Sequence, residues 1–318
     1  MRVTQSMLSN NMLRNLSTSY NKMGKLQEQI TTGKKVNRPS DNPVVAMKGM
    51  GYRMTVDKVA QYQENLGEVN NWLDSSDDAL DGVGQALIRV QELTIDAANG
   101  TKTNDDRQKI LAEIKQLREQ IRDMANTKVG DKYLFSGTKT GSPLFAKDGN
   151  GDATIGGGAT AILPNPAIPG DVGTPAAPPL IGFEEGISIE VFDGIELQVN
   201  TNGHKLFSEI DEMMGKLIHS VENDEGSQAI SNHLDFISTS QDAVLTTRAN
   251  IGARQNRAEM MGHRLDLQEG SAKKQMSENE DIDYEKVITD MVTEEAIHRA
   301  ALSVGARIIQ PSLVDFLR

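Results

Sequence analysis

The 318 residues carry a formal net charge of −12, no cysteine, and 4% aromatic side chains against 37% hydrophobic ones. A chain this acidic is poorly suited to nucleic acid or to an anionic membrane surface, and without thiols it forms neither disulfides nor thiolate metal sites. No run reaches the ~18 apolar residues of a membrane span, and the N-terminus lacks the hydrophobic segment of a cleavable signal, which fits either a cytosolic protein or one exported without cleavage.

The length suffices for two or three modest domains at ~100 to 200 residues each. So few aromatics suit narrow apolar stripes rather than one bulky interior, which predicts an elongated helical molecule. The first stripe is Leu13, Leu16, Tyr20, Met23 and Ile30, on one face of a helix that Gly33 ends. Pro39 blocks continuation, and Asn42 before Pro43 reads as an N-cap and first helical position. Leu80, Val83, Leu87, Val90 and Ala97, with Thr94, continue the spacing of three and four until Asn99-Gly100. After Asn104, read as an N-cap, Ile110, Ile114, Leu117, Ile121 and Met124 form a helix expected to pack antiparallel to the preceding one.

Between Gly130 and Asn202 stand seven of the ten prolines, so helix is excluded. Ile187, Ile189 and Val191, then Asp193-Gly194, then Ile195, Leu197 and Val199 predict a hairpin with a type I′ turn. The Gly- and Pro-rich piece from Gly149 to Pro179 reads as an irregular surface insertion. Helical spacing returns with Leu206, Ile210, Met213, Leu217 and Val221. A longer stripe follows, Ile230, Leu234, Ile237, Val244, Ile251, Ala258 and Leu265, expected to form a rod of roughly 60 Å up to Gln268. Glu278 to Asp283 reads as an acidic break. Leu302, Ile309 and Phe316 then recur every seven residues, with Pro311 expected to kink the last helix.

The fold class expected is thus mainly α with a central β-rich insertion, the N- and C-terminal halves pairing as an elongated helical bundle. Residues 1–53 hold nine basic and two acidic side chains, whereas residues 281–318 hold four basic and seven acidic ones. That opposition favours pairing of the ends. A thin seam gains ~25 cal/mol per Å², against ~1 to 2 kcal/mol per residue for ordering the backbone. The segments Met1–Ile30 and Leu302–Arg318 are therefore expected to order fully only against neighbouring subunits.

Catalytic arrangements are missing: there is no HExxH, Walker A, GxGxxG or GxSxG pattern. His204, His219, His233, His263 and His298 share no ligand spacing. Asp148-Gly149-Asn150-Gly151-Asp152 resembles the start of a calcium loop, but Ala153 and Ala159 stand where its glycine and bidentate glutamate belong, so a turn is expected. Gly156-Gly157-Gly158 precedes no helix and reads as flexible loop rather than phosphate cradle. Asp77-Asp78 and Glu294-Glu295 read as solvated surface. No enzyme activity and no cofactor are expected.

Three stretches carry a family resemblance. Gln29 to Pro43, with Arg38-Pro39-Ser40-Asp41-Asn42-Pro43, is similar to the connection after the first helix in the flagellin superfamily. Arg89-Val90-Gln91-Glu92-Leu93 and Ala97-Ala98-Asn99-Gly100-Thr101 resemble its conserved-looking helix end. Asn250-Ile251-Gly252-Ala253-Arg254-Gln255-Asn256-Arg257, Asp281-Ile282-Asp283-Tyr284 and the ending Ser312 to Arg318 resemble its C-terminal half. The Pro39/Pro43 connection and Tyr133-Leu134-Phe135-Ser136-Gly137 are nearer the hook-associated junction members than the filament subunits.

The resemblance implies a terminal D0 domain (1–42 and 279–318), a helical D1 domain (43–129 and 203–278) and a β-rich D2 domain (130–202). It implies a structural subunit at the hook–filament junction of the bacterial flagellum, extracellular and exported by the flagellar apparatus. Its partners would be hook-associated protein 1, flagellin, further copies in a tubular ring and an export chaperone. Leu13, Leu16, Tyr20, Met23, Ile30, Leu302, Ile309, Phe316 and Leu317 would form the assembly interface, although the same stripes equally suit an intramolecular core. The rival readings are a small flagellin forming the filament itself, a helical signalling protein, against which the central hairpin argues, and an enzyme in the central segment.

Overall fold

A computed structural model describes residues 5–99, 103–147, 153–155, 182–183 and 185–309. Six helices and six short strands follow in the order α1 (Gln5–Thr32), α2 (Pro43–Ala97), α3 (Asn104–Ala125), β1 (Lys128–Val129), β2 (Lys132–Tyr133), β3 (Phe145–Lys147), β4 (Ala153–Ile155), β5 (Ser188–Phe192), β6 (Ile195–Gln198), α4 (Gly203–Glu222), α5 (Ser227–Glu280) and α6 (Tyr284–Ile309). The described fold is mainly α with small antiparallel hairpins in its middle, as the sequence predicts. Contacts divide the chain into a seam unit, Gln61–Asp266, and a terminal unit, Met1–Ala60 with Leu267–Arg318.

The seam unit is organised by a seven-residue repeat. On α2, Tyr62, Leu66, Val69, Leu73, Ser76, Leu80, Val83, Leu87 and Val90 are buried at alternating steps of four and three. On α5, Ile230, Ile237, Val244, Ile251, Ala258 and Leu265 are buried at steps of seven. A strict seven-residue period keeps a stripe on one side only if the helices supercoil left-handedly. Polar pairs run along the seam in antiparallel register: Gln63 with Asp266 at 3.1 Å, Gln255 with Asp74 at 2.8 Å, Arg248 with Asp77 at 2.9 Å and Gln241 with Gln91 at 3.1 Å. Ser76 and Thr94 occupy buried seam positions because each hydroxyl donates to the carbonyl one turn back, Trp72 and Val90, both at 2.7 Å.

The expected antiparallel packing of α2 and α3 is present: Arg89 meets Glu113 at 2.8 Å, and Gly82 makes room for the Met124 sulfur. The N-cap of α3 is Thr103 rather than Asn104, its hydroxyl accepting from the Asp106 amide. Either residue type can cap, and the helix takes the earlier one, which leaves Asp105 and Asp106 in the first turn. The acidic stretch from Glu278 to Asp283 holds the expected break, α5 ending at Glu280 and α6 starting at Tyr284, but α5 runs well past its expected end near Gln268. Its carboxylates find basic partners there, described below.

Among the described residues the strands form three separate two-stranded antiparallel hairpins. The expected hairpin around Asp193-Gly194 forms, with Phe192 paired to Ile195 and Ser188 to Gln198. Its turn is not type I′, since of the two loop residues only Gly194 has positive φ, at 70°. A bulge between Glu190 and Phe192 supplies the local twist that a primed turn would otherwise provide. Buried Asn200 ties the hairpin base together, accepting from the Ile187 amide at 2.7 Å and donating to the Glu185 carbonyl at 3.0 Å. Arg254 of α5 donates to the Asn200 carbonyl at 3.0 Å.

The Tyr133 to Gly137 motif has a packing reason. Leu134 and Phe135 are buried, and Phe135 meets Phe207 edge-on at 5.0 Å. Gly137 has φ of 61°, and a Cβ there would fall 2.6 Å from the Phe183 carbonyl carbon, so only glycine fits. Within the piece expected to be irregular, β4 pairs with β3 through Phe145–Ile155 and Ala146–Thr154. The calcium-loop-like run Asp148–Asp152, the triple glycine and Pro311 lie outside the described residues.

Helices α3 and α4 share a half-buried charged knot. Asp211 accepts from Arg118 at 2.8 Å and from Arg122 at 2.7 Å, with little of any of the three exposed. Burial opposes ionisation of Asp211, but the hydrogen bonds from Arg118 and Arg122 outweigh it and hold its carboxyl below the ordinary carboxylate value. Such a group stabilises the fold fully above its unfolded pKa of ~3.9, and that contribution is lost as pH falls through the lower folded value. Asp211→Ala is expected to cost about 2–3 kcal/mol in denaturant unfolding at pH 7. Asp211→Asn should flatten the decline in stability below about pH 4. Unchanged acid sensitivity in Asp211→Asn would contradict the assignment.

Candidate assembly surface

The terminal unit is built from the same kind of stripe, but its core is shallow. On α1, Met12, Leu16, Ser19, Met23, Leu26 and Ile30 follow steps of four and three on the side facing α6, yet among them only Ser19 is fully buried. The pairing is antiparallel: Tyr20 lies 6.2 Å from His298 between ring centres, and Lys22 lies 3.8 Å from Glu294. Nearer the helix ends, Met12, Leu13, Leu16, Leu302, Gly305 and Ala306 surround a cavity of about 180 Å³. Gly305 forms a notch filled by the Met12 methyl. Two buried polar atoms in this pair, Ser19 Oγ and His298 Nδ1, lack hydrogen-bond partners, which weakens it further.

Sequence-predicted interface residues therefore divide. Leu16, Met23 and Ile30 are half-buried in the α1–α6 seam. Leu13 and Tyr20, seven residues apart, flank that seam and are 56% and 64% exposed; Leu302 is also largely exposed. Leu13, Leu16 and Leu302 come together around the cavity. The Ile309 side chain, Phe316 and Leu317 lie outside the described residues. Further apolar side chains stand in solvent on α6, namely Tyr284, Ile288, Val292, Ile297 and Val304. Met12 and Gly305 escaped the sequence reading because Met12 and Leu13, four and three residues before Leu16, fit the helical spacing equally, and a lone helical glycine signals little until its helix is paired.

Where the terminal helices meet α2 and α5, a charged latch fixes the connections. Glu280, almost fully buried, receives Arg53 at 2.6 Å and Lys34 at 3.4 Å. Lys34 also reaches Asp281 at 2.7 Å and pairs with it as an isolated antiparallel bridge. The Lys35 amide donates to the Glu280 carbonyl at 2.6 Å, and the Ile282 amide to the Gly33 carbonyl at 3.1 Å. Hydrogen bonds from Lys34 and then Ser277 hold the Asp281 carboxyl below its ordinary value, and the Asp281 contact raises Lys34. Gly49 is required because any side chain there would collide with the Glu280 carboxylate. Gly33, with φ of 70°, turns the chain out of α1 against the Tyr284 hydroxyl. The opposed charges of the two chain ends were the sequence signal for this latch.

Among the described residues no three His, Asp or Glu gather as metal ligands, and no helix is long and apolar enough to cross a membrane. The site is two paired helices with apolar flanks, latched at their base.

Comparison with known proteins gives the class. Residues 3–140 match the bacterial flagellin N-terminal helical region, and residues 234–317 match the bacterial flagellin C-terminal helical region. Flagellar hook-associated protein 3 of Escherichia coli is 26% identical over 94% of this chain and 93% of its own length. A flagellin of Clostridium tyrobutyricum, also 26% identical, aligns with 51% of this chain and 43% of its own length. A solved structure titled as a putative flagellar hook-associated protein from Vibrio parahaemolyticus shares the fold with a TM-score of 0.63, at 21% identity, covering 76% of this chain and all of that one. The chain belongs to the flagellin superfamily, on its hook-associated protein 3 branch. It is a structural protein of the bacterial flagellum and not an enzyme.

The latch makes a local prediction. Glu280→Ala should speed exchange of the Lys35 and Ile282 amides roughly tenfold, as loss of charge-assisted bonds worth about 1.4 kcal/mol would require. Unaltered exchange at both amides would show that the latch holds nothing.

Proposed function

We propose that this chain forms the layer joining hook to filament, with hook-associated protein 1 on one side, flagellin on the other and further copies of itself around a ring. In this reading it reaches the cell exterior through the flagellar export apparatus, accompanied by a chaperone before export. Residues 1–42 and 279–318 act as the D0 domain, 43–129 and 203–278 as D1, and 130–202 as D2. The work is mechanical: subunits stack, end the geometry of the hook and present a surface on which flagellin polymerises.

The observation that carries the assembly role is the exposure of Leu13, Tyr20 and Leu302 beside the α1–α6 seam. Contiguous apolar side chains left in water mark a surface that another protein covers. Alignment with hook-associated protein 3 along nearly the whole chain, where the flagellin aligns with about half, favours the junction over the filament.

Two outcomes are expected. Immunogold labelling with antibody against residues 130–202 should mark a narrow band between hook and filament, whereas label along the whole filament would make this a flagellin. Leu13→Asp combined with Leu302→Asp should leave the protein exported but shed into the medium, with hooks lacking filaments. Normal swimming of that double variant would contradict the interface.

A further inference from the structure

Sulfur chemistry in this chain is thioether chemistry alone, since it holds fourteen methionines and no cysteine. Their surroundings differ. Met213 and Met214 are 6% and 0% exposed in the seam unit, the Met124 sulfur packs into the notch left by Gly82, and Met12 fills the notch at Gly305. Met47, Met50 and Met54, by contrast, are 62%, 54% and 72% exposed. At steps of three and four they share one face at the start of α2. Met7 and Met260 are as exposed, but each is a single thioether on its face.

At 100° per residue, Val45, Gly49, Tyr52 and Val56 fall on the opposite side of α2 and are buried or half-buried. That side carries the contacts that hold the helix in place: Asn279 donates to the Val45 carbonyl at 3.0 Å, and Gly49 lies against the Glu280 carboxylate. An oxygen added to any of the three exposed sulfurs therefore enters solvent and displaces no packed group. The chemistry is a two-electron oxidation of sulfur by a hydroperoxide. The thioether lone pair attacks the terminal peroxide oxygen, one S–O bond forms, the O–O bond breaks, and the rest of the oxidant leaves as water or an alcohol. Without cysteine, the chain offers that oxidant no competing thiol.

We infer that the Met47–Met50–Met54 face is a reversible oxidation site, where hydroperoxides turn an apolar strip into three polar sulfoxides without loosening the fold. Each step replaces a soft apolar group by a polar one. On this face three such changes add together, whereas at Met7 or Met260 one group changes alone. The site needs no partner and belongs to the chain by itself. Its apolar character falls as oxidant rises, so redox conditions rather than the fold set what the face can bind. Reversal draws on a reductant from outside, because the chain lacks thiols. Methionine sulfoxide reductases A and B, one for each sulfur epimer, return the thioether. Two thiols become a disulfide in that step, and the oxygen leaves as water.

In the test, the full chain is exposed to hydrogen peroxide, each methionine is followed by peptide mass spectrometry, and surface character by retention on a hydrophobic-interaction column. Met47, Met50 and Met54 are expected to gain one oxygen each roughly tenfold faster than Met124, Met213 and Met214. At that stage retention should fall while helical circular dichroism stays unchanged. The two reductases with dithiothreitol should then restore the original retention. The triple variant Met47→Leu, Met50→Leu and Met54→Leu, conservative in volume, should keep its retention through the same treatment. Equal oxidation rates at all six methionines, unchanged retention, loss of helix when only the three are oxidised, or failure of the reductases to restore retention would each overturn the site. An equal fall in retention in the triple variant would assign the effect to Met7 or Met260 and overturn it as well.

Discussion

Everything in this molecule depends on a thin apolar seam repeated every seven residues. A helix pair of this kind has no thick interior, so each position matters and its loss is poorly compensated by neighbours; truncating one buried Leu or Ile to Ala typically costs about 2–5 kcal/mol. In the seam unit the seam is closed on both sides. Its α2 and α5 stripes are buried along their length and reinforced by Arg248, Gln255 and Gln241 at the edges. Polar seam positions such as Ser76 and Thr94 are tolerated because their own helix satisfies them.

The terminal unit uses the same repeat but leaves it open. Its α1 stripe is half-buried, its flanks are in water, and two of its buried polar atoms are unpaired. The latch around Glu280 supplies what the seam lacks, fixing the α1–α2 and α5–α6 connections within this unit by charge-assisted bonds instead of burial. A unit that is positioned at its base and unfinished along its faces suits a protein whose terminal helices are completed by neighbours. In the assembly role proposed above, the functional surface is the part of the repeat that one chain alone does not close.

Much of this was legible in the sequence. Stripes of period 3.5 gave the helices, and Gly33, Asn42-Pro43 and Asp193-Gly194 marked turns and starts where they occur. What escaped depended on partners distant in the chain. The break read at Glu278 to Asp283 is there, between α5 and α6, but Lys34, Lys35 and Arg53, which gather on it, stand more than 200 residues away in the chain. Gly49 and Gly305 read as neutral because a small residue is informative only once the side chain it admits is known. Leu13 and Tyr20 belonged to the same stripe as Leu16 and Met23 by spacing alone. Only the position of α6 separates the residues facing it from those left exposed.

The central claim, that the terminal helices are completed by assembly, is tested most directly by amide hydrogen exchange on the isolated chain and on purified flagella. In the isolated chain, amides of Leu16–Ile30 and Val287–Ala301 should exchange roughly a hundredfold faster than those of Val69–Val90 and Val244–Leu265, and the difference should largely vanish on assembly. Equal protection of all four segments in the isolated chain would contradict the account, because the terminal pair would then be complete without neighbours.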